Sequence, residues 1–208
     1  CNWKGSSDTE VILAAIEYWG LEESLKRFVG MFSFALWDRK YKTLSLARDR
    51  VGEKPLYFGW QKETFLFGSE LKALRAHPNF LNDINRDSIS LLLRHNCIPS
   101  PYSIYNEIYK LEPGKFISLN RKDALTKKIP EQKVYWELDG FLNKKTINSF
   151  TGSRSEAIDS LESLLTNSVK GQLQSDVPLG AFLSGGVDSS LVVAIAQKVS
   201  KTPIKTFT

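Results

Sequence analysis

The sequence predicts an α+β part rich in antiparallel sheet, followed by the opening of an α/β part. Three observations predict this order. Short aromatic-rich runs alternate at strand period through the first half and are separated by turn residues, which is typical of antiparallel hairpins. A polar stretch without periodicity, Asn143 to Ser155, then predicts a linker. After it, an amphipathic helix leads into an apolar run, a glycine-rich turn and a second helix, the order that opens an α/β unit.

The composition is that of an ordinary globular protein. The 208 residues leave room for one or two domains, with 42% hydrophobic and 25% charged residues. The net charge of +5 comes from scattered Lys and Arg, so we expect no nucleic-acid partner. Two cysteines are too few for a disulfide framework and fit a reducing compartment. No apolar run approaches the ~18 residues of a membrane helix, so we expect a cytoplasmic protein without a membrane segment.

The first elements are predicted to be helices. Ser7 and Glu10 have the spacing of a capping box at the start of a helix over residues 7–19. Apolar residues then recur at helical spacing: Val11, Ile12, Ala15, Ile16 and Trp19. Gly20 ends this helix, and a short helical turn over 21–28 follows it.

Two hairpins are predicted next. Their strands are rich in aromatic and β-branched residues and are joined by short polar turns: 30–38 with 44–47, and 56–60 with 64–68. A polar loop, residues 48–55, connects the hairpins. Ser69 is predicted to cap a helix over 70–76, and a second helix is predicted over 86–96.

A third hairpin is predicted around Glu112-Pro113-Gly114, because strand-like runs at 108–111 and 115–119 flank this turn. Residues 121–133 are polar and lack periodicity, so they are predicted to be irregular. Val134-Tyr135-Trp136 is predicted to be the last strand of this part.

The segment Ser184 to Ser190, with the sequence SGGVDSS, predicts a phosphate site. It follows an apolar run and precedes a helix, whose first N–H groups lack internal partners and point toward the turn. Gly185 and Gly186 let the backbone approach a ligand closely. Asp188 is either a helix N-cap or a ligand to a cation, and the flanking glycines and serines favour the ligand. Since a helix dipole contributes only ~0.3–1 kcal/mol, several charge-assisted bonds must act together.

Five segments, in order along the chain, resemble a known family. The SGGVDSS segment is similar to the pyrophosphate loop of the ATP-pyrophosphatase enzymes. The other four are similar to segments of the glutamine-hydrolysing asparagine synthetases: Ser7 to Val11, Gly30 to Asp38, Ala47 to Tyr57, and Phe67 to Leu74. In that family a class II glutaminase domain of the N-terminal-nucleophile type precedes the synthetase domain.

The resemblance implies a division of the chain and an activity. Residues 1–142 would be the C-terminal part of the glutaminase domain, 143–154 a linker, and 155–208 the start of the α/β synthetase domain. The implied enzyme hydrolyses glutamine, adenylates aspartate with ATP and Mg²⁺, and uses the ammonia to release AMP and form asparagine. Its partners would be these small molecules, and a homodimer of the full-length enzyme fits the family.

The resemblance also implies site residues. Asp8 matches the carboxylate that binds the α-amino group of glutamine. Asp188 matches a magnesium ligand, in keeping with the few carboxylates that this ion takes beside phosphates. The implied ATP-binding residues are Leu183, Ser184, Gly185, Gly186, Val187, Asp188, Ser189 and Ser190.

No catalytic residue is assigned within the chain. The family's nucleophile is an N-terminal cysteine whose thiolate is the reactive form, but Cys1 stands only seven residues before Asp8, where the family has several tens. We therefore expect the nucleophile upstream of this sequence, and the chain to be an internal fragment that is inactive alone.

Other polar residues are predicted to be structural. Arg48, Asp49 and Lys54 are expected to form a buried ion pair that closes the turn between the first two hairpins. His77 and His95 have no acidic or cysteine partners at ligand spacing, so no metal site is expected there. Cys97 is expected to be a small buried hydrophobe.

Two other functions remain open. A related amidotransferase could aminate a different carboxylate, such as a sugar acid in surface polysaccharide synthesis, because the acceptor pocket would lie beyond Thr208. A non-catalytic module that retains a nucleotide-binding loop is the second.

Overall fold

The computed structural model describes residues 4, 5, 7–138, 150–175 and 177–208. It divides the chain into two compact units, Cys1–Lys144 and Lys145–Thr208. Most of the predicted linker falls outside the described residues, and the predicted domain limits remain a prediction. None of the helices in the described ranges is long and apolar enough to cross a membrane.

The first unit combines helices and antiparallel strands, which confirms the α+β prediction for this part. Its helices are α1 (Asp8–Trp19), α2 (Leu21–Arg27), α3 (Leu71–Arg75), α4 (Arg86–His95) and α5 (Arg121–Thr126). Its strands are β1 (Ser33–Asp38), β2 (Thr43–Arg48), β3 (Tyr57–Gln61), β4 (Thr64–Gly68), β5 (Ile108–Lys110), β6 (Lys115–Leu119) and β7 (Lys133–Val134).

Two antiparallel sheets enclose the central core of this unit. One has the strand order β1-β2-β6-β7 and the other the order β4-β3-β5. Leu46 and Ile117 of the first sheet pack with Phe58 of the second in one cluster of fully buried side chains. Burying each such side chain stabilises the fold by roughly 1.5–3 kcal/mol.

Helices cover the outer face of each sheet. Leu25 of α2 packs with Phe116 of β6 on the first sheet. Leu74 of α3 packs with Ile108 of β5 on the second. Because side chains alternate between the faces of a strand, each sheet supplies one row to the central core and another to its helices.

The first two predicted hairpins are confirmed, but the third is wrong. β5 pairs with β3, and β6 pairs with β2, so the two strands lie in different sheets. The turn between them carries the chain across the core: Leu111 N–H donates to the Leu56 carbonyl and Gly114 N–H to the Asp49 carbonyl, both at 2.9 Å. Strand period and turn residues identify the strands but not their partners.

Three local predictions also differ from the structure. Residues 121–126, predicted to be irregular, form α5, because the Asn120 side chain accepts from the Lys122 and Asp123 N–H groups and Asp123 accepts in return. Ser69 does not cap α3, whose N-cap is Glu70 without a side-chain bond. Cys97, predicted to be buried, is exposed.

The helix over residues 7–19 is confirmed, but its cap differs from the predicted box. Ser7 Oγ accepts from Thr9 N–H at 3.2 Å. The Glu10 carboxylate accepts from the N–H groups of Lys4 and Gly5 at 2.8 and 2.9 Å instead of reaching back to Ser7. Glu10 thus holds Lys4 and Gly5 beside the first turn of the helix.

The second unit has the predicted order of helix, strand, loop and helix. Its elements are α6 (Arg154–Gln172), β8 (Gly180–Phe182), α7 (Val187–Val199) and β9 (Lys205–Phe207). A capping box between Ser153 and Glu156 starts α6. An ion pair of 2.5 Å between Glu162 and Lys198 joins α6 to α7. β8 and β9 pair in parallel, so α7 is the crossover helix between them.

Candidate functional site

The SGGVDSS segment connects β8 to the start of α7. Gly185 has φ +78°, a conformation in which a residue with a Cβ is strained. A Cβ added there would meet nothing within 4 Å, so the backbone conformation, not lack of space, favours glycine. Gly186 then returns to extended backbone as the N-cap of α7.

The start of α7 carries no side-chain cap. This distinguishes it from four other helices, whose starts are capped by Ser7, Asn85, Asn120 and Ser153. The Ser190 N–H already bonds to the Gly186 carbonyl at 3.1 Å. The backbone N–H groups that precede Ser190 in α7 face the loop, where an anion could accept hydrogen bonds from them.

Hydrogen bonds hold the loop in shape. Ser184 Oγ and Ser189 Oγ lie 3.1 Å apart, and Ser189 Oγ donates to the Gly186 carbonyl at 3.2 Å. At the base of the loop, Leu183 N–H donates to the Phe207 carbonyl at 2.8 Å. β9 is not among the elements predicted from the sequence, although the β-branched and aromatic residues between Ile204 and Phe207 favour a strand.

Asp188 is the second residue of α7, and its side chain is exposed. The N-cap alternative for Asp188 is wrong, because Gly186 occupies that position. Within the described ranges, no group of three His, Cys, Asp or Glu side chains could hold a metal ion. A cation at this loop would therefore depend on Asp188, on ligand oxygens and on water, a set that suits Mg²⁺.

Asp8 is the first residue of α1 and lies at the exposed start of that helix. Its carboxylate accepts from Ser7 Oγ at 3.4 Å and from Thr9 Oγ1 at 3.5 Å. Both bonds are to Oδ1, so Oδ2, which has no hydrogen-bond partner among the described residues, could accept from a ligand ammonium. Asp8 belongs to the first unit and the SGGVDSS loop to the second.

Arg48 and Asp49 have a structural role, but the predicted ion pair is wrong. Asp49 is 1% exposed, and its carboxylate accepts from the N–H groups of Phe32, Glu53 and Lys54 at 2.9–3.2 Å. The Arg48 guanidinium donates to the carbonyls of Gly52, Lys54 and Leu111 at 2.6–2.7 Å. Burial lowers the pKa of Arg48, while the nearby Asp49 charge opposes this. Both side chains form hydrogen bonds with backbone groups and hold the loop in place, instead of pairing with each other.

Comparisons with known proteins match both units. A family model described as a glutamine amidotransferase domain matches residues 1–136. A second model, described as asparagine synthase, matches residues 160–208. The SGGVDSS loop lies within the second match.

Similar curated proteins span the boundary between these two matches. A Methanocaldococcus jannaschii protein, provisionally named glutamine-hydrolysing asparagine synthetase 2, is 38% identical over 92% of this chain and 35% of its own length. Glutamine-hydrolysing asparagine synthetase 3 of Bacillus subtilis is 35% identical over 97% of this chain and 31% of its own. The chain thus spans about a third of the length of these relatives.

Among solved structures, one match is the glutamine phosphoribosylpyrophosphate amidotransferase of B. subtilis. The alignment covers all of the present chain and 40% of the amidotransferase chain. The identity is 15% and the TM-score 0.43, too low to support an argument.

Proposed function

Because this chain belongs to the glutamine amidotransferase domain family and continues into an asparagine synthase segment, we propose that it is part of a glutamine-dependent asparagine synthetase. In this proposal residues 1–142 serve glutamine hydrolysis, 143–154 form the linker, and 155–208 begin the domain that adenylates aspartate with ATP. The names of the relatives support aspartate as the acceptor.

The loop between β8 and α7 carries the proposal. The start of α7 has no side-chain cap, Gly185 is left-handed, and the Ser184 and Ser189 hydroxyls lie beside the backbone N–H groups. A nucleotide phosphate would accept from the backbone N–H groups, and also from these hydroxyls once they turn away from each other and from the Gly186 carbonyl. Charge-assisted bonds of this kind are roughly twice as strong as neutral ones, so together they exceed what the helix dipole contributes.

Asp188 is the proposed contact to magnesium. When bound, the ion neutralises phosphate charge and orients the phosphate groups. The role of Asp188 is to hold that cation beside the helix start. The main chain of residues 185–189 would hold the phosphate oxygens.

Asp8 is the proposed contact to glutamine. Its carboxylate stands exposed at the start of α1. An ionised carboxylate accepts from the α-ammonium group of an amino acid. The nucleophile is proposed to lie upstream of this sequence. Cys1 falls outside the described residues, and its separation from Asp8 by seven positions is the argument against it.

A titration with ATP and Mg²⁺ tests the synthetase site. We expect Asp188→Ala to weaken binding by about tenfold, which corresponds to ~1.4 kcal/mol. With EDTA in place of magnesium the difference should disappear, since the carboxylate would then have no cation to hold. Equal affinities of the two proteins for ATP in the presence of magnesium would contradict the assignment.

Asp87→Ala is a matched control for this titration. Asp87 occupies the same position in α4 as Asp188 in α7, the second residue after the N-cap. Both substitutions remove one acidic group from a helix start, but only Asp188 adjoins the glycine loop. ATP affinity should be unchanged in Asp87→Ala.

Glutamate release from glutamine tests the proposed role of residues 1–142 in glutamine hydrolysis. We expect none from these 208 residues. Release above that of a Cys1→Ser variant would overturn the assignment of the nucleophile. In a full-length protein, pyrophosphate release with aspartate supports the proposed acceptor, and release only with another carboxylic acid would favour the related amidotransferase instead.

A further inference from the structure

Three turns of the first unit carry a surplus of basic residues. They span residues 38–43 between β1 and β2, 61–64 between β3 and β4, and 120–128 around α5. Together they contain eight Lys and Arg residues and three Asp and Glu residues. This surplus of five equals the net charge of the whole chain, which has 28 Lys and Arg against 23 Asp and Glu. Outside these turns, positive and negative charges therefore balance.

The structure brings the three turns to one end of the two sheets. β2 pairs with β6 in antiparallel fashion, so β6 ends, and α5 begins, beside the turn that precedes β2. Lys42 of that turn lines the same cavity as Arg121. Glu63, in the turn between β3 and β4, pairs with Lys127. We call this surface the basic end; it comprises residues 38–43, 61–64 and 120–128.

The acidic groups of the basic end are engaged in local bonds, whereas its basic groups face solvent. Asp38 accepts from two backbone N–H groups of its own turn at 2.8 and 2.9 Å. Asp123 belongs to the capping box of α5, and Glu63 pairs with Lys127. Among the residues that the structure describes, Lys127 alone of the eight basic residues has an acidic partner. All eight are exposed: Arg39, Lys40, Lys42, Lys62, Arg121, Lys122, Lys127 and Lys128.

Two apolar side chains project among these charges. Tyr41 lies between Lys40 and Lys42 and is 69% exposed. Leu125 lies in α5, between Lys122 and the basic residues after the helix, and is 75% exposed. Because the turns lie beyond the strand ends, a strand paired along the edge of either sheet would not cover them. The basic end thus combines positive charge with two apolar tips.

We propose that the basic end binds an anionic membrane surface. The negative potential of such a surface attracts nearby Lys and Arg, and each of them strengthens binding about fivefold. Tyr41 and Leu125 enter the boundary between lipid headgroups and acyl chains, where burial removes their apolar surface from water. An attachment of this kind is made from the aqueous side of the membrane and needs no helix that spans it.

The residue types of the basic end favour a membrane over a nucleic acid. Six of its eight basic residues are Lys. Lys is a compact point charge, whereas the bidentate recognition of nucleic acids relies on Arg. An exposed leucine has no counterpart on a phosphate backbone, but it gains from burial among acyl chains. The basic end therefore fits lipid headgroups with apolar chains beneath them.

Sedimentation with lipid vesicles tests the proposal. The chain should bind vesicles of phosphatidylcholine mixed with phosphatidylglycerol, and it should not bind vesicles of phosphatidylcholine alone. Raising the salt concentration from ~0.1 M to ~1 M should weaken this binding strongly, because the Debye length falls from ~10 Å to ~3 Å. A chain that does not bind the mixed vesicles, or that binds both kinds equally, would overturn the proposal.

Charge reversal tests whether the basic end is the binding surface. Lys40→Glu combined with Lys122→Glu should weaken binding to the mixed vesicles by at least ~25-fold, since each lysine contributes about fivefold. Lys170→Glu combined with Lys201→Glu is the matched control, because it makes the same charge change at two exposed lysines of the second unit. The control should bind far better than the first variant. Equal losses in the two variants would mean that net charge, and not the basic end, attracts the vesicles.

The apolar tips distinguish a membrane from a nucleic acid. Tyr41→Ser combined with Leu125→Ser should weaken vesicle binding about tenfold, because less apolar surface then leaves water. Tyr18→Ser combined with Leu93→Ser removes the same two residue types from comparably exposed positions in α1 and α4 and should leave vesicle binding unchanged. Unchanged vesicle binding in the first variant would overturn the insertion of the two tips. Binding of duplex DNA without binding of vesicles, abolished by the two lysine reversals, would assign the basic end to a nucleic acid instead.

Discussion

The Tyr135 hydroxyl donates a 2.7 Å hydrogen bond to the backbone carbonyl of Arg48. The bond joins the residue after β7 to the last residue of β2, which are 87 positions apart. Burial raises the pKa of Tyr135, and the nearby Asp49 charge adds to this. The hydroxyl therefore keeps its proton and its role as a donor across the neutral range.

Tyr135→Phe should lower the free energy of unfolding by about 1 kcal/mol, because it leaves a half-buried carbonyl without this donor. Urea unfolding followed by tryptophan fluorescence measures this, since all five tryptophans precede residue 139 and report on the first unit. Tyr41→Phe, at an exposed position, should have no effect. Equal losses in both variants would contradict a role for the Tyr135 bond.

Asp49→Ala should destabilise the first unit by about 3 kcal/mol. The substitution leaves the N–H groups of Phe32, Glu53 and Lys54 without their acceptor, and bonds to a charged group are worth ~1.5–3 kcal/mol each, although they do not add fully. Asp83→Ala, at an exposed carboxylate, is the control for the same urea experiment. If Asp49→Ala lost no more stability than Asp83→Ala, the loop would hold its shape without Asp49.

Gly59→Ala should destabilise the second sheet by about 3 kcal/mol. A Cβ at this position would overlap the backbone carbonyl of Glu107, and backbone cannot move aside as a flexible side chain can. Gly5→Ala, where a Cβ meets only ordinary contacts, should change stability by less than about 0.5 kcal/mol. Similar unfolding midpoints for the two variants would mean that β3 and β5 are not as close as described.

Acid should weaken the start of α6. Hydrogen bonds from the Ser153 backbone and side chain hold the pKa of Glu156 below its ordinary value of 4.5. A carboxyl whose pKa is lowered by folding stabilises the folded state above its unfolded pKa, and this contribution is lost as the pH falls through the folded value. Helix content measured by circular dichroism should therefore fall as the pH drops below 4.5.

Glu156→Gln should reduce this acid-dependent loss of helix, because the amide does not titrate. Asp159→Asn, which changes an exposed carboxylate further along α6, should leave the pH dependence as it is. If the two variants respond to acid alike, the capping box is not its source.

Local sequence chemistry predicted the elements better than their partners. The helices at 8–19 and 86–95 and the hairpins of β1–β2 and β3–β4 follow from apolar spacing, caps and turns, which act within a few residues. The separation of β5 from β6 depends on the bond from Leu111 to Leu56, more than fifty residues away. No local pattern contains that information.

In the candidate site, too, local features were predicted from the sequence and distant partners were not. The motif predicted the loop and its place between a strand and a helix, but not the strand β9 that fixes its base. α5 was missed for a different reason: the capping pair Asn120 and Asp123 was present, in a stretch whose polar composition concealed it. The exposure of Cys97 depends on how the loop after α4 packs, which neither residue type nor spacing specifies.

The parallel pairing of β8 with β9 also sets an order of events during synthesis. The Leu183 N–H at the base of the loop is fixed by the carbonyl of Phe207. The anchor, Phe207, lies 17 residues after Ser190, so a growing polypeptide carries all seven residues of SGGVDSS before their anchor has been translated. Until β9 has left the ribosome and joined β8, the nascent chain holds the motif without the hydrogen bond that fixes its base.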